Sequence, residues 1–384
     1  MKRITLGELC HPNARQLKAN EETMIDYIDI ASVDNVSKKI KGFQTMPFGE
    51  APSRARKSVQ NGSILVSTVR PNLNAVAILE EGTPNISVAS TGFCILDCKD
   101  STDKRFVFNF CKSKRFVNDM VSQATGASYP AVNDKIVRNS LVPAYSYEEQ
   151  CRIGQILDKV STLIETRTQE LKSLDDLIKA RFVELFGDPV SNQHGYEKVS
   201  LSELADIKIG PFGSLLHKED YIEGGHPLLN PSHIVDGKVA PDYKLSISED
   251  KYNELSAYQL HVGDVVMGRR GEMGRCAIVP DEGYLCGTGS LMIRTKGDVT
   301  ADYIQKVISF PSFKKTIEDM AVGQTMPNLN VPIVSSFQII KPPIEVQNRY
   351  YAFVAAIDKS KATVQKALDE TQLLFDSLMQ QYFG

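Results

Sequence analysis

The residues best suited to recognition chemistry are arginines at the end of an apolar run. In GDVVMGRRGEMGR, Arg269, Arg270 and Arg275 lie at and just beyond a strand-like stretch. A guanidinium there can grip a guanine edge through two parallel hydrogen bonds in the major groove; a solvated turn accounts for the same residues equally well. An earlier stretch, NGSILVSTVR, brings Thr68, Val69 and Arg70 to the corresponding place. The segment IGPFGSLLHKEDY offers Ser214, His217 and Lys218 beside a glycine-bounded turn. Lys38, Lys39 and Lys41, then Arg54, Arg56 and Lys57, form basic clusters suited to phosphate contact. Against each of these stands the ordinary reading of a polar, solvated surface.

Catalytic chemistry finds no such footing. Asn230-Pro231-Ser232-His233 lacks the second proline and the aromatic of the Asn-Pro-Pro-aromatic motif of adenine methyltransferases, so Asn230 reads as a turn residue. Gly268, Gly271 and Gly274 sit three apart without the Lys-Ser/Thr of a phosphate loop; the bland reading of GRRGEMGR is a flexible hairpin turn, and the favoured one is a turn whose arginines face a ligand. Pro241-Asp242-Tyr243-Lys244 has no second acidic-x-Lys element and reads as a surface loop. Cys10, Cys94, Cys98, Cys111, Cys151, Cys276 and Cys286 form no CxxC, and no helical His pair accompanies them. The expectation is reduced, mostly buried thiols, with no metal, no cofactor and no catalytic residue.

Composition is that of a soluble folded protein, 42% hydrophobic and 24% charged. No window approaches the roughly 20 apolar residues of a membrane span, and MKRITLGELC has no signal-peptide run, so a cytoplasmic chain is expected. Residues 1–147 carry 19 Lys plus Arg against 14 Asp plus Glu, a net of +5, while 188–344 carry 15 against 20, a net of -5. Phosphate contacts supply most non-specific affinity, and a strong polyanion binder would be basic throughout. If this chain reads nucleic acid, most of the phosphate grip must come from another component.

The elements that would position these groups are organised by a repeat. Residues 148–186 are written in heptads: Leu157, Ile164, Leu171, Ile178 and Leu185 recur every seven residues, with Ile153, Val160 and Leu174 between them. A helix of that length is roughly 57 Å long and suits a spacer. Arg167 and Arg181 interrupt the seam, which argues for a specific partner. Shifting the sequence by 197 lays 126–187 on 323–384 without a gap, so that Pro130 meets Pro327, Asn133 meets Asn330, Gln150 meets Gln347 and Phe186-Gly187 meets Phe383-Gly384. Val354, Ile357, Val364, Leu368, Phe375, Leu378 and Tyr382 continue the stripe, with Lys361 and Thr371 as exceptions. The two helices read as complementary variants, which suits an intramolecular pair, and antiparallel pairing is expected.

The repeat extends beyond the helices. ITLGELC at 4–10 resembles VSLSELA at 199–205, NGSILVSTV at 61–69 resembles VGDVVMGRR at 262–270, and Thr91-Gly92 matches Thr288-Gly289. The expected plan is a lobe at 1–147, a spacer helix at 148–187, a second lobe at 188–344 and a second helix at 345–384. Within the lobes GSILVSTV, NAVAIL, GFCILDC, GDVVMGRR, GRCAIVP and SLMIRTK read as strands. FVFNFCKSKRFVNDMVSQ reads as one helix, and ADYIQKVISFPSFKKTIEDM as a helix broken near Pro311. Each lobe is mixed α/β, and 187–197 has the composition of an exposed linker.

Taken together these residues resemble one family, the specificity (S) subunit of type I restriction-modification enzymes. The resemblance spans nearly the whole chain. It is carried by the GASYPAVN and GQTMPNLN loops, the Glu-x-Gln helix starts, IKIGPFGS, PPIEVQ and the helices ending in LFG and YFG. Two departures stand out: the first lobe has no GPFGS segment, and AYSY at 144–147 replaces the proline pair. The resemblance implies two duplicated target recognition domains joined by two long antiparallel coiled-coil helices, with pseudo-twofold symmetry. It further implies double-stranded DNA, two methylation subunits and restriction subunits as partners, a bipartite asymmetric target, and no catalysis by the chain itself. The rival readings are a self-contained DNA-modifying enzyme, disfavoured by the missing motifs, and a coiled-coil scaffold that binds only protein.

Overall fold

The structure, a computed structural model, describes residues 2–12, 16–321 and 328–384. Two compact units emerge: Met1–Leu171 with Thr363–Gly384, and Lys172–Ala362. The repeat partners Gly323 and Pro327, with most of GQTMPNLN, lie outside the described residues. None of the described helices is long and apolar enough to cross a membrane.

In the first unit a four-stranded sheet runs Gln44–Pro47, Met24–Ile28, Ile86–Ser90, Ala55–Ser58. A three-stranded antiparallel sheet runs Val76–Ile78, Ile64–Ser67, Phe93–Leu96. The strand Arg3–Thr5 pairs with Leu141–Pro143 and leads into a single helical turn, Leu6–Leu9, where Glu8 caps Thr5. The second unit repeats this start: Glu197–Ser200 pairs with Gln338–Lys341 and enters Leu201–Leu204, where Glu203 caps Ser200. Its central sheet runs Ala205–Ile209, Ser290–Thr295, Val265–Gly268, Cys276–Ile278. A five-stranded sheet around His226–Leu229 occupies the stretch that the GPFGS segment opens.

The expected single helix over 106–123 is two helices, Lys104–Lys112 and Lys114–Gln123. Ser113 ends the first and caps the second, its Oγ accepting from Phe116 N–H at 3.2 Å. The break falls one residue before the position equivalent to Pro311, which opens Pro311–Met320 in the second unit. The expected linker is also more ordered than its composition suggests. Asp188 accepts from Val190 and Ser191 N–H, and the Tyr196 hydroxyl donates to Leu185 O at 3.1 Å.

The long helices are Tyr147–Phe186 and Ile344–Phe383, 40 residues each. A reciprocal box between Ser146 and Glu149 starts the first, and Pro343 precedes the second. In the first unit Arg167 donates to Ala367 O at 2.6 Å and Tyr145 to Tyr382 O at 3.4 Å, so the two segments run antiparallel. In the second unit Lys361 pairs with Asp175 at 2.5 Å and Arg181 lies over Phe353, again antiparallel. Arg167, Arg181 and Lys361 thus meet polar or aromatic partners on the facing helix. Thr371, counted as an exception, is buried at 6% exposure, because its hydroxyl is spent on Ala367 O. Ile153, Leu157, Val160 and Ile178 are buried; the other seam residues are half-buried.

Several identities of the repeat have the same physical cause in both units. Gln150 and Gln347 are buried amides: Gln150 accepts from Asp103 N–H and donates to Tyr145 O, and Gln347 accepts from Thr300 N–H and donates to Pro342 O. Each therefore ties a lobe helix to the start of a long helix. Asn133 and Asn330 cap short helices by accepting from Ile136 and Ile333 N–H at 3.0 and 2.9 Å. Phe383 packs between Phe106 and Phe110 in the first core, and Phe186 against Tyr303 and Tyr350 in the second.

Candidate nucleic-acid interface

Both units build one edge in the same way. In the first, the strand Ile64–Ser67 ends at Thr68, whose N–H donates to Gly92 O (2.8 Å) and whose carbonyl accepts from Val132 N–H (2.8 Å). In the second, Val265–Gly268 ends at Arg269, whose N–H donates to Gly289 O (3.0 Å) and whose carbonyl accepts from Leu329 N–H (2.9 Å). The next residues, Val69 and Arg270, bridge Ala131 and Asn328. The residues after those, Arg70 and Gly271, both take the left-handed conformation, at φ 50 and 80. One brace of backbone hydrogen bonds is thus laid down twice, with different side chains on it and a short helical turn, Pro71–Leu73, after it in the first unit.

On the second edge Arg269 is held inward, its Nε donating to Asn328 Oδ1 (3.1 Å) and Leu329 O (3.2 Å). Burial, then the neighbouring Arg270 charge, lower its pKa from the ordinary guanidinium value. Arg275 pairs with Glu272 at 2.8 Å and donates to Pro231 O at 3.3 Å, and Lys314 meets the other Glu272 oxygen at 3.0 Å. Arg275 and then Lys314 hold the Glu272 carboxyl below the usual carboxylate range. Arg270 is exposed and has no side-chain hydrogen bond or ion pair among the described residues. Thr288 donates to Pro211 O at 2.9 Å, fastening to this edge the segment that carries exposed Phe212 and Ser214. His217 and Lys218 are exposed on the following turn, where Asp220 accepts from His217 N–H at 2.6 Å. Asn230 is the turn residue expected, opening Pro231–His233.

The basic residues of the first unit separate into committed and free. Lys57 donates to Phe93 O and pairs with Asp134, both at 2.6 Å; it braces the lobe from inside. Lys39 pairs with Glu165 of the long helix at 2.5 Å, and Lys41 pairs with Asp34 at 2.7 Å. Lys41, then the N–H groups of Ser37 and Val36, hold Asp34 far below the ordinary carboxylate range. Lys38 donates to Asn74 O at 2.6 Å, and burial lowers its pKa. Arg56 lies over Phe48 and donates to Ala55 O. The Thr68 hydroxyl is buried on Gly92 O, which makes it a brace. Arg54 is exposed with no side-chain partner among the described residues, and its carbonyl accepts from Thr91 N–H beside the braced edge. Arg70 lies over the ring of Tyr129 at 4.7 Å. Tyr129, 68% exposed, is absent from the residues singled out by sequence, although it is the one aromatic of the GASYPAVN loop.

No group of three or more His, Cys, Asp or Glu able to hold a metal occurs among the described residues. The cysteines are unbonded, with Cys98 and Cys151 half-buried and the others buried. What the two edges can do is present guanidinium, aromatic and backbone groups on hydrogen-bonded turns.

Comparison with known proteins bears on the same point. The family described as type I restriction modification DNA specificity domain matches residues 193–371. The type I restriction enzyme MjaIX specificity subunit of Methanocaldococcus jannaschii is 22% identical over 352 residues, 83% of this chain and 76% of that protein. Among solved structures, one from work on complex assembly and conformational transition of the type I R-M system superposes with TM-score 0.66 at 22% identity, covering 100% of this chain and 97% of the other. The type I restriction-modification S subunit from M. genitalium superposes with TM-score 0.59 at 14% identity, covering 100% and 96%. At those identities the two superpositions establish a shared fold.

Proposed function

We propose that this chain, which belongs to the specificity-subunit family of type I restriction-modification systems, reads a bipartite, asymmetric duplex site with one braced edge in each unit. The chain is the DNA-recognition subunit of such a system. The observation that supports the two-edge reading is the common brace at Thr68–Arg70 and Arg269–Gly271 carrying unlike side chains. A duplicated scaffold with diverged tips presents two different half-sites, because fixed backbone sets position and side chains set base preference.

The finer assignments follow from that reading. Residues 1–147 and 188–344 are the target recognition domains, and 148–187 and 345–384 are the conserved helical regions. Two methylation subunits dock through those regions, restriction subunits join through the complex, and adenine methylation and cleavage belong to these partners in the cytoplasm. The chain's net charge of -3 makes a weak phosphate binder. Purified alone at physiological salt it binds duplex weakly; with methylation subunits it selects a bipartite motif from random DNA. Tight sequence-specific binding by the chain alone, or no motif from the complex, overturns the proposal.

A further inference from the structure

Arg70 occupies a backbone position that favours glycine. Its φ of 50 and ψ of 61 lie in the left-handed region, which is unfavourable for a side chain with a Cβ. The equivalent residue of the second unit, on the same brace, is Gly271 at φ 80. The first unit therefore keeps an arginine where its own duplicate shows that glycine serves the turn. Left-handed strain of this kind collects where a side chain has a task.

The surroundings hold the Arg70 backbone on both sides and set its side chain against one ring. Arg70 N–H donates to Pro130 O at 2.7 Å, and its carbonyl accepts from Leu73 N–H at 2.9 Å. Asn74, also left-handed, closes the turn Pro71–Leu73, and Lys38 anchors it through Asn74 O. The guanidinium lies 4.7 Å from the Tyr129 ring centroid, and the ring is 68% exposed. No carboxylate partners Arg70 among the described residues, whereas Arg275 on the other edge is paired with Glu272. The guanidinium is attracted to the ring by the cation–π interaction, and the residue is exposed, so its planar donor fork is open to solvent.

We infer that Arg70, placed over the Tyr129 ring, is a specificity-determining residue that reads a guanine through its O6 and N7 in the half-site served by the first unit. The inference rests on the DNA-reading proposed above. The first unit then matches the second in chemistry as well as in backbone, with its arginine displaced along the turn: Arg70 follows the bridging residue Val69, and Arg270 is itself the bridging residue. Tyr129 is a positioning residue, since its ring acts through Arg70.

The test is selection from a random duplex library by the full chain assembled with its methylation subunits, comparing the unmodified protein with four variants. Arg70→Ala loses the preference for one guanine in one half-site by about 10- to 100-fold, leaving the other half-site unchanged. Arg70→Lys loses it as well, because a single ammonium cannot fork across two acceptors. Tyr129→Phe keeps the preference, since the ring face remains. Arg70→Gly loses the preference yet melts no lower than the unmodified protein, which separates reading from folding. If the unmodified complex enriches a bipartite motif and Arg70→Ala leaves every position intact, or weakens all sequences alike, the inference is overturned and the DNA-reading stands. Enrichment of no motif by the unmodified complex overturns both.

Discussion

At the ends of Ile64–Ser67 and Val265–Gly268 the two units share a backbone and differ in what they hang on it. The first carries Thr68, Val69 and Arg70, the second Arg269, Arg270 and Gly271. Thr68 and Arg269 both turn their side chains onto the brace, through Gly92 O in one case and Asn328 with Leu329 in the other. The difference teaches that position in the repeat fixes the support and not the exposed group: the first of the three residues braces the edge in both units, whereas the exposed arginine is the third residue in one unit and the second in the other. The stabilising partners differ too, an exposed aromatic ring in the first unit and the Glu272 ion-pair cluster in the second.

The comparison can be broken most sharply at the helix ends. Phe383 and Phe186 are each fully buried, in the first and second core respectively. Replacing either by Ala costs about 3 to 5 kcal/mol of stability in its own unit. Hydrogen exchange should show loosened amides in Met1–Leu171 for Phe383→Ala and in Lys172–Ala362 for Phe186→Ala. Equal loosening of both units by either variant would refute their separate cores.

A smaller effect separates recognition on the second edge from support on the first. Arg270→Ala should cost about 1 to 3 kcal/mol at one half-site while leaving the melting temperature unchanged. Thr68→Ala, at the brace of the first edge, should lower stability by about 0.5 to 1.5 kcal/mol and leave the bound motif intact. A motif altered by Thr68→Ala with undiminished stability would reverse the assignment.

The smallest effect is a pH dependence confined to one edge. Glu272 has a folded pKa below its ordinary value of 4.5, so its contribution is complete above that pH and is lost as pH falls through the lowered value. The pairs are partly exposed, so the loss is slight. Amides at 269–275 should exchange faster as pH drops below about 4.5, after correction for intrinsic rates, and Glu272→Gln should remove that dependence. Persistence of the dependence in Glu272→Gln would assign it to another group.

Much of the architecture was legible because the repeat records recurring physical requirements. Gln150 and Gln347 had to match, since a buried amide must satisfy its donors and acceptor, and both do so against a helix N–H and a carbonyl ahead of the long helix. Asn133 and Asn330 had to match as caps. The site was less legible. Lys57 and Arg54 are near neighbours in sequence, yet one is braced on Asp134 and the other has no side-chain partner among the described residues, because the deciding partner lies in a distant segment. Lys39 is likewise decided by Glu165. The interruption at Ser113 has no sequence signal, because a serine inside an amphipathic run is not the marker that Pro311 is; its capping geometry exists only in three dimensions.

The central claim is that each unit reads its own half-site. It is tested most directly by mapping methylated adenines in cells that carry the methylation subunits with the unmodified chain, with Arg70→Ala, or with Arg270→Ala. The account predicts a bipartite motif for the unmodified chain, relaxed at one position in one half by Arg70→Ala and at one position in the other half by Arg270→Ala. Two variants that alter the same half, or leave both halves unchanged, would contradict it.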